Sequence, residues 1–148
     1  MKAFTILASL LLAATASACA STGMSDSDKL ATYRAHAGAP VGSFRYFGSI
    51  NSWTSLGDRA VAVWTRPSEA WLLELSGPCQ DLAYAPMIGV TSQFNRVSAK
   101  FDKVLVQGAG DNSMRFPCRI ETIRPLDVKA IKQAEKTARD QSAESSGT

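Results

Sequence analysis

Few residues in this 148-residue chain have types and spacings that could do chemistry, and three of them are cysteines: Cys19, Cys79 and Cys118. Zinc needs three or four ligands, and His36 is the chain's one histidine, so we predict no metal site and no other cofactor. A redox pair would use a C-x-x-C turn that lowers the pKa of one thiol, whereas Cys79 and Cys118 lie far apart. Acylation and disulfide formation remain as the chemistry of the cysteines.

The N-terminal segment predicts export. After one lysine, residues 3–14 form an uncharged apolar run that is shorter than the roughly 20 residues a membrane-spanning helix needs. Small residues at 16–18 then precede Cys19, an arrangement that resembles bacterial lipoprotein signals, although alanine stands three residues before the cysteine where these usually carry leucine. We therefore predict a signal peptide over residues 1–18, with lipidation of Cys19.

The expected destination is the outer membrane, with the domain facing the periplasm and held through the N-terminal lipid anchor. Ala20 follows the cysteine, where an aspartate would favour retention in the inner membrane. Because Ala16 and Ala18 also fit an ordinary small-residue cleavage site, release into the soluble periplasm is the alternative.

Removal of the leader leaves about 130 residues, which is enough for one domain with a modest core. The pattern predicts a lipid-attached tether over residues 19–29, a single β-rich domain over residues 30–140 and a disordered tail over residues 141–148. The net charge of the whole chain is +3. Its basic residues are scattered rather than clustered, so we predict no nucleic-acid partner.

If the protein is exported, its two internal cysteines are expected to be oxidised, because thiols pair in an oxidising periplasm. Cys79 and Cys118 are then an even remainder, and we predict that they form one disulfide closing a loop of about 40 residues. Two buried free thiols are the alternative.

The elements that position these residues are predicted to be mostly strands. Residues 28–37 have helical apolar spacing, and Gly38 ends that helix. Six runs rich in aromatic and β-branched residues follow: residues 44–56, which are broken near Gly48, 59–65, 70–76, 87–93, 97–107 and 114–123. The fifth run changes parity, which predicts a bulge near Asp102 and Lys103. We therefore predict an all-β fold of about six antiparallel strands in a small half-open barrel.

A C-terminal helix is predicted to begin after Asp127 as N-cap. Its thin apolar stripe predicts a solvated helix that packs on the barrel and covers one end of it. Because its other faces carry several basic residues, contact with an anionic membrane is the alternative.

Catalytic motifs are not recognisable in this sequence. Its acids could include a glycosidase pair, but sequence alone does not reveal distances between them. Aromatic rings could instead line a sugar or peptide groove, and arginine often dominates binding energy. The candidate binding surface contains Trp53, Trp64, Trp71, Tyr84 and Arg66; for the tryptophans on strands, core packing is the alternative.

Several segments together resemble a family of small exported bacterial proteins of unknown function. They are Trp64-Thr65-Arg66-Pro67 leading into residues 70–75, Cys79 followed by Leu82, Phe101-Asp102-x-Val104, and the stretch from Cys118 to Pro125. The resemblance covers roughly residues 44–127 and implies a structural role for the cysteine pair. It carries over no catalytic or binding residue, because none is established for that family.

We accordingly expect a non-catalytic module of the cell envelope that either has a structural role or binds a protein or glycan partner. A small periplasmic hydrolase without a recognisable motif is the alternative.

Overall fold

The computed structural model describes residues 23–108 and 114–147, so the predicted signal peptide and Cys19 lie outside the described residues. It contains two α-helices, α1 (Asp26–Ala35) and α2 (Val128–Ser145). Its strands are β1 (Ser43–Arg45), β2 (Ser52–Ser55), β3 (Ala60–Arg66), β4 (Glu69–Leu75), β5 (Ile88–Val90), β6 (Arg96–Ser98), β7 (Lys103–Gln107) and β8 (Met114–Leu126). A short 3-10 helix spans Leu82–Tyr84.

The strands form the predicted antiparallel half-barrel, which confirms the fold class. Six of them make one curled sheet in the order β2-β3-β4-β8-β7-β5, and β1 and β6 form a separate two-stranded sheet. The long β8 joins the two halves, because its C-terminal part pairs with β4 and its N-terminal part pairs with β7.

Two of the six predicted runs are each divided between sheets. The first breaks near Gly48, as predicted; the φ of Gly48 is +84°, in the left-handed region. A bulge was predicted in the fifth run near Asp102 and Lys103, and this prediction is wrong. Instead the chain turns fully between β6 and β7, with Lys100 at φ +69°, so that β6 pairs with β1 whereas β7 pairs with β5 and β8.

The buried carboxylate of Asp102 stabilises this turn. One of its oxygens accepts a hydrogen bond from the Ser98 backbone N–H at 2.7 Å, and the other accepts one from the Thr91 hydroxyl at 2.7 Å. Only 5% of Asp102 is exposed. The Phe-Asp-x-Val pattern therefore has a structural reason, since its aspartate fixes the turn and Val104 enters the core.

Side chains alternate between two cores across β3 and β4. The inner core fills the concave side of the half-barrel and includes Val61, Val63, Leu73, Leu75, Val104, Ile120 and Ile123. The outer core lies under the helices and includes Tyr33, Leu56, Ala60, Ala62, Trp64, Ala70, Leu72, Val128 and Ile131. Because three of the outer residues are alanines, the helices can approach the sheet closely.

Both helices pack on this outer face. This corrects the prediction that the C-terminal helix covers one end of the barrel. The ring of Tyr33 in α1 meets Trp64 edge-on at 6.2 Å, and its hydroxyl donates to Glu135 of α2 at 2.8 Å. No helix in the described part of the chain is long and apolar enough to cross a membrane.

The helix bounds also differ from those predicted. Ser25 caps α1 by accepting from the Asp28 backbone N–H, so the helix begins within the predicted tether. Asp127 caps α2 as predicted, accepting from Ala130 N–H at 3.0 Å. The helix continues through Ser145, into the predicted tail, because no glycine or proline interrupts residues 128–146.

The Cys79–Cys118 disulfide is confirmed, with a Cα–Cα distance of 5.7 Å. It links the segment after β4 to β8. Cys79 is buried in the inner core, and Cys118 packs against that core. The bond therefore ties together two parts of the half-barrel that no hairpin connects.

Candidate binding site

A cleft of about 490 Å³ lies where the turn between β3 and β4 approaches β1. Its lining combines cations, aromatic rings and hydroxyl groups. The residues that matter for its chemistry are Arg45, Arg66, Arg96, Glu69, Phe47 and Trp71.

An aromatic pair forms the inner wall of the cleft. Phe44 of β1 and Trp71 of β4 stack with ring centroids 4.9 Å apart and an interplanar angle of 13°. Phe44 is buried and Trp71 is partly buried. The Trp71 Nε1 atom is also buried, and it has no hydrogen-bond partner among the residues described. An unpaired buried donor costs free energy.

Exposed side chains of β1 and of the residues that follow it form the rim of the cleft. Phe44 and Tyr46 are buried in the inner core, so Arg45 and Phe47 fall on the opposite, exposed parity. The Tyr46 N–H donates to the Asn95 carbonyl at 2.9 Å, which continues the β1–β6 pairing beyond the strands.

The β1–β6 pairing sets Arg45 directly opposite Arg96. Arg96 donates to the Ser43 hydroxyl at 3.0 Å. Within residues 23–108 and 114–147, neither guanidinium has a carboxylate at ion-pair distance. Like charges directly opposite one another in an antiparallel pair destabilise it, so this arrangement favours an added anion.

The turn between β3 and β4 contributes the remaining charges. Arg66 lies 3.9 Å from a carboxylate oxygen of Glu69, whose other oxygen accepts from the Thr65 hydroxyl at 2.5 Å. Three guanidinium groups thus face a single carboxylate around the cleft. The local charge is positive, and guanidinium groups are suited to bidentate contacts with carboxylate or phosphate oxygens.

Three acidic residues outside the cleft have structural partners. Glu74 forms an ion pair of 2.6 Å with Arg34 across the outer face, and Asp102 and Asp127 hold a turn and a helix terminus. The described residues contain no group of three or more metal-ligating side chains.

The cleft contains two of the predicted surface residues, Arg66 and Trp71. Trp53 and Trp64 instead line a shallower cavity of about 320 Å³ beside α2. Tyr84 is 90% exposed on the 3-10 helix, outside both cavities.

Sequence reasoning missed Arg45, Phe47 and Arg96. The alternation around buried Phe44 and Tyr46 could have identified the first two as an exposed pair. Arg96 was not accessible to such reasoning, because its pairing with Arg45 joins segments about 50 residues apart.

Two buried tyrosines differ electrostatically from exposed ones. Burial raises the pKa of the Tyr33 hydroxyl, and its hydrogen bond to the Glu135 carboxylate raises it further. Burial also raises the pKa of Tyr46. Both hydroxyls therefore stay protonated at neutral pH.

A family of unknown function, DUF6491, matches residues 1–142. The chain belongs to this family. The DUF6491 match includes every residue of the cleft and both cysteines of the disulfide. Neither a curated protein nor a solved structure matches the chain.

Proposed function

We propose that this DUF6491 protein is a non-catalytic recognition module of the bacterial cell envelope. The signal peptide directs its export, the acylated Cys19 holds it in the outer membrane, and its domain faces the periplasm. The cleft between β1 and the β3–β4 turn is the recognition surface. The observation that carries this proposal is the convergence of Arg45, Arg66 and Arg96 beside an aromatic wall.

The rigidity of the cleft supports recognition rather than catalysis. Most of its lining residues lie on β1, β3, β4 and β6, and the Cys79–Cys118 bond ties the inner core together. A preorganised surface binds without the ordering cost that a flexible segment incurs. The one carboxylate in the lining, Glu69, is engaged by Thr65 and Arg66.

The position of the cleft suits an anchored protein. Asp26 at the start of α1 lies beside Gly57, because its Cβ is 3.8 Å from where a Cβ on Gly57 would stand. Gly57 precedes β3, whereas the cleft lies at the other end of that strand. Six strand residues span roughly 20 Å. An N-terminal anchor thus leaves the domain at the end of β3 away from the cleft.

Crosslinking in the intact envelope tests the recognition role. Cells that produce the full chain with a C-terminal affinity tag are treated with a crosslinker, and the captured protein or glycan is identified. A reproducible partner supports the proposal. Absence of a partner together with turnover of a peptidoglycan or ester substrate by the purified chain contradicts it and favours a hydrolase.

Labelling with radioactive palmitate tests the anchor. The full chain should incorporate label and fractionate with the outer membrane, whereas Cys19→Ser should not incorporate label. An unmodified mature chain in the soluble periplasm would show ordinary cleavage instead.

A further inference from the structure

The like-charged pair of Arg45 and Arg96 lies at the rim of a cleft that also contains Arg66. A cross-strand pair of this kind lowers the stability of the free protein. Most surface positions tolerate substitution with little change in stability, so the fold has no need of two facing arginines here. An anion bound between them removes the repulsion.

An apolar surface lies next to these charges. Phe47 is 66% exposed, follows Arg45 by two residues and lines the same cleft. The stacked Phe44–Trp71 pair adds an aromatic wall. The matching ligand therefore carries a hydrogen-bonding anion close to an apolar group.

We propose that the cleft binds an acidic peptide segment of a partner protein, in which carboxylate side chains alternate with apolar ones. Arg45 and Arg96 bind one carboxylate, Arg66 binds a second, and an apolar side chain packs against Phe47. This inference deepens the proposed function and depends on it.

Two features favour a peptide over other anions. The carboxylate of Glu69 lines the cleft and repels a compact phosphate dianion more strongly than a singly charged carboxylate. A membrane surface is disfavoured because the cleft lies at the end of β3 opposite the start of α1, so an anchored domain presents it away from the lipid.

Fluorescence anisotropy with defined peptides tests the inference on the full chain in non-ionic detergent. The probe is a fluorescein-labelled hexapeptide of alternating glutamate and phenylalanine, and the control replaces each glutamate with glutamine. We expect saturable binding of the acidic peptide alone, with affinity that falls as salt concentration rises. Inorganic phosphate and vesicles of anionic phospholipid serve as competitors.

Matched variants locate the site. Arg45→Gln and Arg96→Gln should each weaken binding at least tenfold, equivalent to about 1.4 kcal/mol, while Arg139→Gln on the exposed face of α2 should leave it unchanged. Phe47→Ser should weaken binding, whereas Phe101→Ser, which truncates an even more exposed ring elsewhere, should not. Urea unfolding should show that Arg45→Gln is at least as stable as the wild type, which separates lost binding from misfolding.

Several results would overturn the inference. Equal binding of the two peptides, displacement by phosphate at concentrations that match the peptide's own affinity, transfer of the protein to vesicles through the cleft, or absence of peptide binding each excludes an acidic peptide as occupant. Crosslinking separates the two proposals: a partner captured equally by the wild type and by Arg45→Gln/Arg96→Gln preserves the recognition role and overturns this site.

Discussion

Replacement of both bridging cysteines, Cys79→Ala/Cys118→Ala, should destabilise the protein by several kcal/mol without changing its fold. The bond links residues 39 apart and connects the segment after β4 to the middle of β8. The strands β4 and β8 pair with each other, and β8 pairs with β7, independently of the bond. Its loss should therefore act mainly on the unfolded chain, which gains conformational freedom.

The chain-entropy relation gives the magnitude. A closed loop of about 40 residues restricts the unfolded chain by roughly 13 cal/mol/K, or about 4 kcal/mol at room temperature. This is nearly three orders of magnitude in the ratio of folded to unfolded protein. The buried Cys79 sulfur contributes a smaller packing loss when it is removed.

Equilibrium urea unfolding followed by tryptophan fluorescence measures these contributions. The reduced wild type retains both sulfur atoms, so its difference from the oxidised protein isolates the bond. The further difference to the double alanine variant isolates packing. A double variant within 1 kcal/mol of the oxidised protein would refute the reasoning, because the loop would then not restrict the unfolded chain.

Three further predictions concern the turn, the outer core and the buried tyrosine. Asp102→Ala leaves the Ser98 N–H without its acceptor, and urea titration should show a free energy of unfolding lower by about 2–4 kcal/mol. Asp102→Asn should destabilise the protein less. Equal stability of the wild type and both variants would contradict the role of Asp102 in stabilising the turn. Ile131→Ala opens the fully buried core beneath α2 and should cost about 2–5 kcal/mol, while exposed Lys136→Ala should cost less than about 0.5 kcal/mol. Because burial raises the pKa of Tyr33, its contribution to stability is complete below the unfolded pKa near 10 and is lost as pH rises above it, by up to about 1.4 kcal/mol per pH unit. The free energy of unfolding, measured by urea titration at each pH in this range, should therefore fall less steeply with pH for Tyr33→Phe than for the wild type. An equal pH dependence in the two proteins would contradict the assignment.

Local patterns predicted the elements whose structure is decided locally. The alternation of residues 70–75 placed Leu73 and Leu75 on one face and identified β4, and Asp127 marked the start of α2. The same reasoning treated residues 97–107 as one strand. Local alternation does not distinguish a bulge from a turn into another sheet, and only the contact of Asp102 with Thr91 and Ser98 decides between them.

The docking of α2 depended on small residues in a distant strand. Its apolar stripe was predicted correctly, since Val128 and Ile131 are buried. Its position on the sheet face follows from Ala60 and Ala62, which leave room for a helix. The presence of these alanines in a strand does not indicate which element of the fold packs on them.

The candidate site was predictable only in part for the same reason. Arg66 and Trp71 were singled out from their types and lie in the cleft. Arg45 and Arg96 meet through a strand pair that joins distant segments. No spacing within either segment indicates that pairing.

The indole N–H signals of the three tryptophans provide the most direct measurement of whether the cleft is the recognition surface. Trp71 lines the cleft, whereas Trp53 and Trp64 line the cavity beside α2. In nitrogen–proton correlation spectra of the full chain, assigned with single tryptophan-to-phenylalanine variants, the acidic hexapeptide should shift the Trp71 signal and leave the other two in place. Arg45→Gln should abolish that shift. A shift confined to Trp53 or Trp64, or a Trp71 shift that persists in Arg45→Gln, would contradict the account.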